Sequence, residues 1–207
     1  FVDELGHGLI RRDMENCGNV EWLFDPAVLV DDDGKAYIYF GGGVPKGMAS
    51  HPMTARCAQL GDDMMSLVDV PTTIDAPYLF EDSGIHKYGD TYYYTYCSNF
   101  SVDKEGTAEY GMENGEICVM TSKSPLGPFT FSERILKNPG FYFGVGGNNH
   151  HAIFKFKDQW YITYHTRMLE TAQEIVKGYR STSIDEFYFN EDGTIGNIKM
   201  TKADRKQ

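Results

Sequence analysis

The sequence contains no apolar run that approaches the roughly 20 residues a membrane-spanning helix needs. Positive charge is also scarce, because 19 Lys and Arg residues stand against 30 Asp and Glu residues and give a formal net charge of −11. A surplus of negative charge repels nucleic-acid phosphates and anionic lipids. We therefore expect a soluble protein with no nucleic-acid and no membrane partner, whose ligand is neutral or cationic.

Cysteine is sparse as well, and the four in the chain are Cys17, Cys57, Cys97 and Cys118. They form no C-x-x-C pair, so their spacing indicates no zinc site. Four cysteines in a chain of 207 residues also define no disulfide framework. We expect free thiols that are buried or half-buried.

Aromatic side chains, in contrast, are abundant, with 14 Tyr and 13 Phe residues. Aromatic side chains suit the pleated, half-buried surface of a β-strand. No long amphipathic helix and no low-complexity tract can be recognised beside them. The composition therefore predicts an all-β protein.

One hairpin pattern occurs three times, beginning at Asp25, Glu81 and Asn149. Each copy opens with a polar residue, continues with a short apolar strand and a turn, and ends in a second, Tyr-rich strand. The turns carry the Asp and Gly residues that tight hairpins favour, as at 32–34. The starts of the three copies are 56 and 68 residues apart. A unit that recurs at such intervals, with room for about four strands, is typical of a β-propeller blade.

Three such units are too few to close a ring, since propellers have about four to eight blades. The first ten residues, 1–10, also resemble the middle of a domain rather than its start. We therefore expect that 1–207 is a partial propeller domain: either the chain is a fragment, or a separate N-terminal polypeptide completes the ring.

The innermost strands of a propeller line its axis, so Asp25, Glu81 and Asn149 should converge there. Close carboxylates raise one another's pKa and can prepare one of them as a proton donor. Glycoside hydrolysis needs such an acid together with a base or nucleophile. The alternative is structural: Asp25 starts a turn before Pro26, and Glu81 with Asp82 forms a solvated loop.

Three further polar residues are candidates for the same site. His150 and His151 are neighbours on a predicted strand, so at most one can face the axis, where it could orient substrate, ligate a cation or steady a carboxylate. A histidine that supports the site from beneath is the alternative. Arg180 could bind sugar hydroxyls or tune a carboxylate.

These residues lie in stretches that resemble glycoside hydrolase family 43, and in particular its arabinoxylan arabinofuranohydrolase branch. The stretches are WLFDPA with the following DDDG turn, IDAPYLFEDSGIHKYGDTYYYTYC, LKNPG with GGNNHHAIF, and GYRSTSI. They occur in the family's order over nearly the whole chain. The resemblance implies a five-bladed β-propeller, of which this chain supplies roughly the last three blades, and a single-displacement, inverting hydrolysis.

The resemblance also implies roles for single residues. Glu81 is expected to be the general acid, and Asp25 the carboxylate that tunes and orients it. Asn149 and Arg180 are expected to contact the substrate near its arabinose.

The histidine pair lies where family members have a histidine near the axis. We assign His151 to substrate binding and His150 to a calcium or sodium ion at the axis. No other cofactor is expected to be required.

The resemblance places the family's general base, an Asp, in the first blade, ahead of this chain. The chain alone should therefore be inactive or nearly so, because a positioned base contributes roughly 10²–10⁴-fold. The expected activity is removal of α-L-arabinofuranosyl side chains from arabinoxylan or arabino-xylooligosaccharides. The alternatives are a β-xylosidase of the same family and a non-catalytic carbohydrate-binding propeller. Polymeric xylan is met outside the cell, so we expect an extracellular or periplasmic protein.

Overall fold

The computed structural model describes residues 2–175 and 177–201, so Phe1, Val176 and 202–207 of the predicted domain lie outside the described residues. The regular elements of the described residues are mainly strands, and the all-β prediction is confirmed. The strands are β1 (Ala27–Val30), β2 (Ala36–Phe40), β3 (Ala55–Gln59), β4 (Thr72–Ile74), β5 (Leu79–Tyr88), β6 (Thr91–Ser98), β7 (Ile117–Ser122), β8 (Thr130–Leu136), β9 (His151–Phe156), β10 (Gln159–Thr166) and β11 (Ser181–Phe187).

The helices in the described ranges are short: α1 (Lys104–Tyr110), α2 (Pro139–Phe143) and α3 (Met168–Ala172). None of them has the length and apolar character required to cross a bilayer. α1 begins where Asp103 accepts a hydrogen bond from the Gly106 N–H, and it ends at Gly111 in a left-handed conformation.

The strands form three antiparallel sheets in which consecutive strands are neighbours. Two sheets have four strands, in the orders β1-β2-β3-β4 and β5-β6-β7-β8, and the third has the order β11-β10-β9. The prediction of about four strands per unit is therefore confirmed for the first two units. The third unit has three strands within the described residues.

The three predicted hairpins are confirmed as β1-β2, β5-β6 and β9-β10. Their turns need a backbone with positive φ, which costs glycine little. Gly34 has φ 83° and Gly89 has φ 56°. The third turn offers no glycine, and Lys157 adopts φ 56° in its place.

The middle sheet is buried on both faces, which explains the Tyr-rich alternation of β6. Tyr94 and Tyr96 pack into a core shared with the first sheet, whereas Tyr93 and Cys97 pack into a core shared with the third. Tyr94 stacks on Tyr39 of β2 with ring centroids 6.1 Å apart. The three sheets therefore stack face to face in chain order. All four cysteines are buried and free, as expected.

The first strand of each hairpin lies at the edge of its sheet, and β5 contacts both β1 and β9. Asp25 precedes β1, Glu81 lies within β5, and His150 precedes β9. The stacking therefore gathers the polar residues that head the three hairpins on one side of the molecule.

Candidate active site

Glu81 lies in an irregular part of β5. The pairing of β5 with β6 shifts register between Leu79 and Glu81 and again between Glu81 and Gly84. A bulge of this kind bends a strand and re-aims its side chains. Asp82 has a left-handed φ of 72° within it, and the exposed fractions of Glu81 and Asp82 are only 7% and 5%. The solvated-loop alternative for these two residues is therefore wrong.

The Glu81 carboxylate is contacted by two side chains from the segment before β9. Asn148 Nδ2 donates to Glu81 Oε1 at 2.7 Å, and His150 Nε2 lies 3.0 Å from the same oxygen. His150 Nε2 is also 3.6 Å from Asp25 Oδ2. One ligand atom each from Asp25, Glu81 and His150 lie within 4.8 Å of one another. The structure thus brings Asp25 and Glu81 together at one nitrogen of a single imidazole.

Asp25 is held in place by backbone geometry as well as by its neighbours. It has φ 48°, a conformation that costs a non-glycine residue free energy and occurs often at functional sites. Its Oδ2 accepts a hydrogen bond from the Asp82 N–H at 3.2 Å. The side chain is therefore directed at the β5 bulge and does not cap its own turn.

Arg180 reaches the cluster through Asn148. Its Nη2 donates to Asn148 Oδ1 at 3.0 Å, which leaves the Asn148 amide nitrogen free to bond Glu81. The two residues border a cavity of about 160 Å³. The cavity is also lined by Pro139, Gly147, His165 and Thr166. Asn148 and Arg180 therefore connect the carboxylate cluster with this cavity.

Glu81 and His150 shift one another's proton affinity in opposite directions. Burial alone raises the pKa of Glu81, but the hydrogen bonds from His150 and Asn148 outweigh burial and hold that pKa below its ordinary value. The hydrogen bond to Glu81 raises the pKa of His150, and the nearby Asp82 and Asp25 carboxylates add to the rise against the effect of burial. The pair therefore favours a Glu81 carboxylate beside an imidazolium.

Asp25 is the carboxyl whose pKa is raised. Burial is the main cause, with smaller upward contributions from Glu81 and Asp82, and the charge of His150 opposes it. The expectation that paired carboxylates raise one pKa is therefore met at Asp25, whereas Glu81 moves in the other direction because His150 and Asn148 both contact it.

Asn149 does not join this cluster. Its side chain is completely buried, and Nδ2 donates to the carbonyl oxygens of Gly115 at 3.1 Å and Lys137 at 3.4 Å. These bonds tie the segment before β9 to the middle sheet. The predictions that Asn149 shares a position with Asp25 and Glu81 and contacts the substrate are therefore wrong.

His151 also points away from the cavity. Its side chain is fully buried, Nδ1 lies 2.5 Å from Asp82 Oδ2, and Nε2 lies 2.7 Å from Thr95 Oγ1. Both ring nitrogens are occupied, so the prediction of a substrate contact is wrong for His151. Of the two histidines, His150 is therefore the one that lies at the carboxylate cluster of Asp25 and Glu81.

Two functional residues were missed by sequence reasoning. Asn148 had a usable signal, because residues two apart on an extended segment share a face and His150 is two residues further along. Asp82 had none, because the direction of its side chain depends on the bulge in β5.

The predicted calcium or sodium ion finds a poor donor set in the described residues. Calcium takes six to eight oxygen ligands. The cluster of Asp25, Glu81 and His150 offers an imidazole nitrogen and two carboxylates. The His150 nitrogen is already within hydrogen-bond distance of Glu81. The chemistry that these residues suit is proton transfer beside a bound ligand.

Comparison with known families agrees with this chemistry, since residues 12–195 match the family described as "Glycosyl hydrolases family 43". The chain belongs to this family. An arabinoxylan arabinofuranohydrolase of Paenibacillus polymyxa is 50% identical over 204 residues, which cover 96% of this chain and 32% of that protein. A xylosidase/arabinosidase of Thermoclostridium stercorarium is 32% identical over 205 residues, covering 87% of this chain and 38% of that protein.

A solved family 43 structure shares the fold closely. It is the crystal structure of a glycoside hydrolase family 43 arabinoxylan arabinofuranohydrolase from Bacillus subtilis in complex with cellotetraose, with a TM-score of 0.92 and 48% identity. The match covers 100% of this chain and 43% of that chain. The chain therefore spans less than half the length of each of these three relatives.

Proposed function

We propose that this chain belongs to a glycoside hydrolase that removes α-L-arabinofuranosyl side chains from arabinoxylan or arabino-xylooligosaccharides. The observation that carries the proposal is the placement of Glu81 and Asp25 around one histidine, beside a cavity that Arg180 borders. The arabinoxylan arabinofuranohydrolase of Paenibacillus polymyxa, 50% identical, supports the choice of sugar and polymer.

In the proposed reaction Glu81 protonates the glycosidic oxygen as the arabinose leaves. The proton is the one shared with His150, which lies 3.0 Å away and whose pKa is raised by Glu81. Asp25 orients this pair, and Arg180 binds sugar hydroxyls. Water attacks from the opposite face in a single, inverting displacement.

The general base of this reaction is proposed to lie outside the chain. Inverting enzymes separate acid and base by about 6.5–9.5 Å to leave room for the water. Ligand oxygens of Asp25 and Glu81 lie within 4.8 Å of each other and approach the same nitrogen of His150. Asp25 therefore stands on the same side of the site as the acid, where an orienting carboxylate belongs and a base does not.

We propose that these sheets are three blades of a five-bladed propeller and that an N-terminal polypeptide supplies the rest. Apolar side chains on the two outermost sheets support this, because Val28 and Val30 are 49% and 62% exposed and Phe154 and Phe156 are 39% and 59% exposed. The cavity of about 160 Å³ is also smaller than the roughly 300–1,000 Å³ typical of ligand sites. Further blades would cover the apolar faces and deepen the site.

The proposed hydrolysis uses protein side chains and no metal ion, so chelation of calcium should leave the activity in place. Since arabinoxylan is a polymer met outside cells, an extracellular or periplasmic location follows from the proposed substrate.

The test is release of free sugar from wheat arabinoxylan by the full-length gene product, with the Glu81→Gln variant beside it. We expect arabinose, and a loss of roughly 10²-fold or more in the variant, because a positioned acid contributes about 10²–10⁴-fold. Arabinose release that is unchanged in Glu81→Gln would contradict the role of Glu81.

Two other functions give different results in the same assay. The Thermoclostridium stercorarium relative is a xylosidase/arabinosidase. Release of xylose from xylo-oligosaccharides in place of arabinose would therefore indicate a β-xylosidase. Binding of arabinoxylan with no sugar released by the full-length product would indicate a carbohydrate-binding propeller.

A further inference from the structure

A buried network of three side chains lies directly behind the carboxylate cluster. Asp82 Oδ2 accepts the backbone N–H of His151 at 2.9 Å and lies 2.5 Å from its Nδ1, while Thr95 Oγ1 lies 2.7 Å from its Nε2. Thr95 is fully buried and Asp82 is 5% exposed. The network therefore connects β5, β6 and the start of β9 without facing solvent.

The network occupies the bulge that aims Glu81. Thr95 of β6 pairs with Gly84, the residue at which regular pairing of β5 resumes. A Cβ at Gly84 would lie 2.3 Å from Thr95 Oγ1 and 3.1 Å from His151 Nε2. Glycine at this position is what allows the histidine and the threonine to meet behind the strand.

Asp82 connects this network with every charged member of the cluster. Its N–H donates to Asp25 Oδ2 at 3.2 Å, and its Oδ1 lies 3.5 Å from His150 Nδ1. It is also the chain neighbour of Glu81. A displacement of Asp82 would consequently move Asp25, Glu81 and His150 relative to one another.

We infer that Asp82, which is held by His151 while Thr95 holds the other side of that imidazole, is a positioning residue that orients Glu81 as proton donor. The inference rests on the proposed glycosidase function and deepens it. The hydrogen bonds also assign the imidazole: Nδ1 of His151 donates to the Asp82 carboxylate, so in a neutral ring Nε2 accepts the Thr95 hydroxyl proton.

Positioning of an acid has a signature that a structural role lacks. A leaving group that is itself acidic needs little protonation, whereas a sugar alcohol needs it fully. A misoriented Glu81 carboxyl group should therefore slow the release of arabinose from arabino-xylooligosaccharides far more than from a nitrophenyl arabinofuranoside. We expect Asp82→Ala to lower kcat by about 10²-fold on the oligosaccharide and by less than about 10-fold on the nitrophenyl substrate, with KM little changed, because small misplacements cost about that much.

Four further variants distinguish the effect of the Asp82 charge from that of the Thr95 hydroxyl and from a general loss of stability. Asp82→Asn keeps an oxygen for His151 and removes the charge. Thr95→Val removes the hydroxyl at nearly constant shape, and Thr95→Ser restores it. Asp185→Ala is the control, because Asp185 is also 5% exposed and accepts two hydrogen bonds, from Tyr164 Oη at 2.6 Å and the Thr201 N–H at 3.2 Å, on the far strand β11.

The experiment measures kcat and KM of these variants of the full-length gene product on both substrates. The inference is supported when Asp82→Ala and Thr95→Val show the leaving-group-dependent loss while Thr95→Ser and Asp185→Ala do not. Equal losses on both substrates, or the same pattern in Asp185→Ala, overturn it and leave the glycosidase function intact. A wild-type protein that cleaves neither substrate overturns the proposed function, and the inference with it.

Discussion

At the scale of single residues, the hydrogen bonds to Glu81 determine how readily its carboxyl group is protonated. Glu81 Oε1 is approached by His150 Nε2 at 3.0 Å and by Asn148 Nδ2 at 2.7 Å. A carboxylate that accepts such bonds is stabilised in its charged form. Asn148 therefore makes Glu81 a stronger acid than burial alone would allow.

Removing that bond should move the pH profile in a known direction. Asn148→Ala deprives the Glu81 carboxylate of a donor, so the pKa of Glu81 should rise. Activity that requires a protonated Glu81 should then persist to higher pH, and the alkaline limb of kcat/KM should shift upward. The measurement is the pH–rate profile of the full-length product, and a limb that stays in place or moves downward would contradict the contact.

A second histidine links pH to stability and lies away from the site. His86 of β5 is buried against Tyr93, with ring centroids 5.0 Å apart. Burial lowers the pKa of His86 to about 3, and the charge of His151 adds to the effect. The unfolded chain has an ordinary histidine pKa near 6.5. Between pH 6.5 and about 3, His86 is therefore protonated in the unfolded chain and neutral in the folded one.

The stability that depends on neutral His86 is complete above about pH 6.5 and falls by about 1.4 kcal/mol per pH unit as the pH drops toward 3. His86→Phe keeps an aromatic ring beside Tyr93 and removes the proton. We expect the free energy of unfolding, measured with urea between pH 4 and 7, to decline less steeply in the variant. Identical slopes in the two proteins would show that His86 is protonated in the fold.

At the scale of elements, glycine lets the backbone after β2 approach the backbone before β3. Gly41 has φ 98°, and a Cβ there would lie 2.3 Å from the Thr54 carbonyl oxygen. Gly34, in the β1-β2 turn, has φ 83° with nothing within 4 Å of its Cβ position. The two positions share a backbone conformation and differ in the space around them.

Substitution by alanine should separate these two costs. Gly34→Ala should destabilise the fold by about 1 kcal/mol, the cost of positive φ alone. Gly41→Ala should cost about 3 kcal/mol or more, because a backbone oxygen has to move. Urea denaturation of both variants measures the free energies of unfolding. Equal losses in the two variants would mean that the Thr54 carbonyl moves aside at little cost.

The elements were the part of the structure most open to prediction from the sequence. The Tyr-rich second strand of each unit and the Asp-Gly turn after β1 identified hairpins, because strand preference and positive φ are local properties. The site was harder to predict. A bulge in β5 redirects Asp82, and the equivalence drawn between Asn149 and Glu81 assumed regular strands. A shift of one residue on a strand exchanges its faces, so Asn148 and His150 took the places expected of Asn149 and His151.

At the scale of the whole molecule, three stacked sheets gather the polar residues that head the hairpins on one side. Asp25 and Glu81 lie on the same side of His150, and apolar residues remain exposed on the outermost sheets, as at Val30 and Phe156. In the proposed function, Glu81 is the acid, Asp25 orients it, and the base that activates water acts from the opposite face of the sugar. The proposed reaction therefore inverts the configuration of the released sugar.

The most direct test is the configuration of the first arabinose released by the full-length gene product, followed by proton NMR before the anomers equilibrate. The proposed inverting mechanism predicts β-arabinofuranose from an α-linked substrate, because a base on the opposite face activates water for a single displacement. Release of the α-anomer would contradict it. Retention would require a nucleophile about 5–5.5 Å from the acid, the role that Asp25, within 4.8 Å of Glu81, would then have to take.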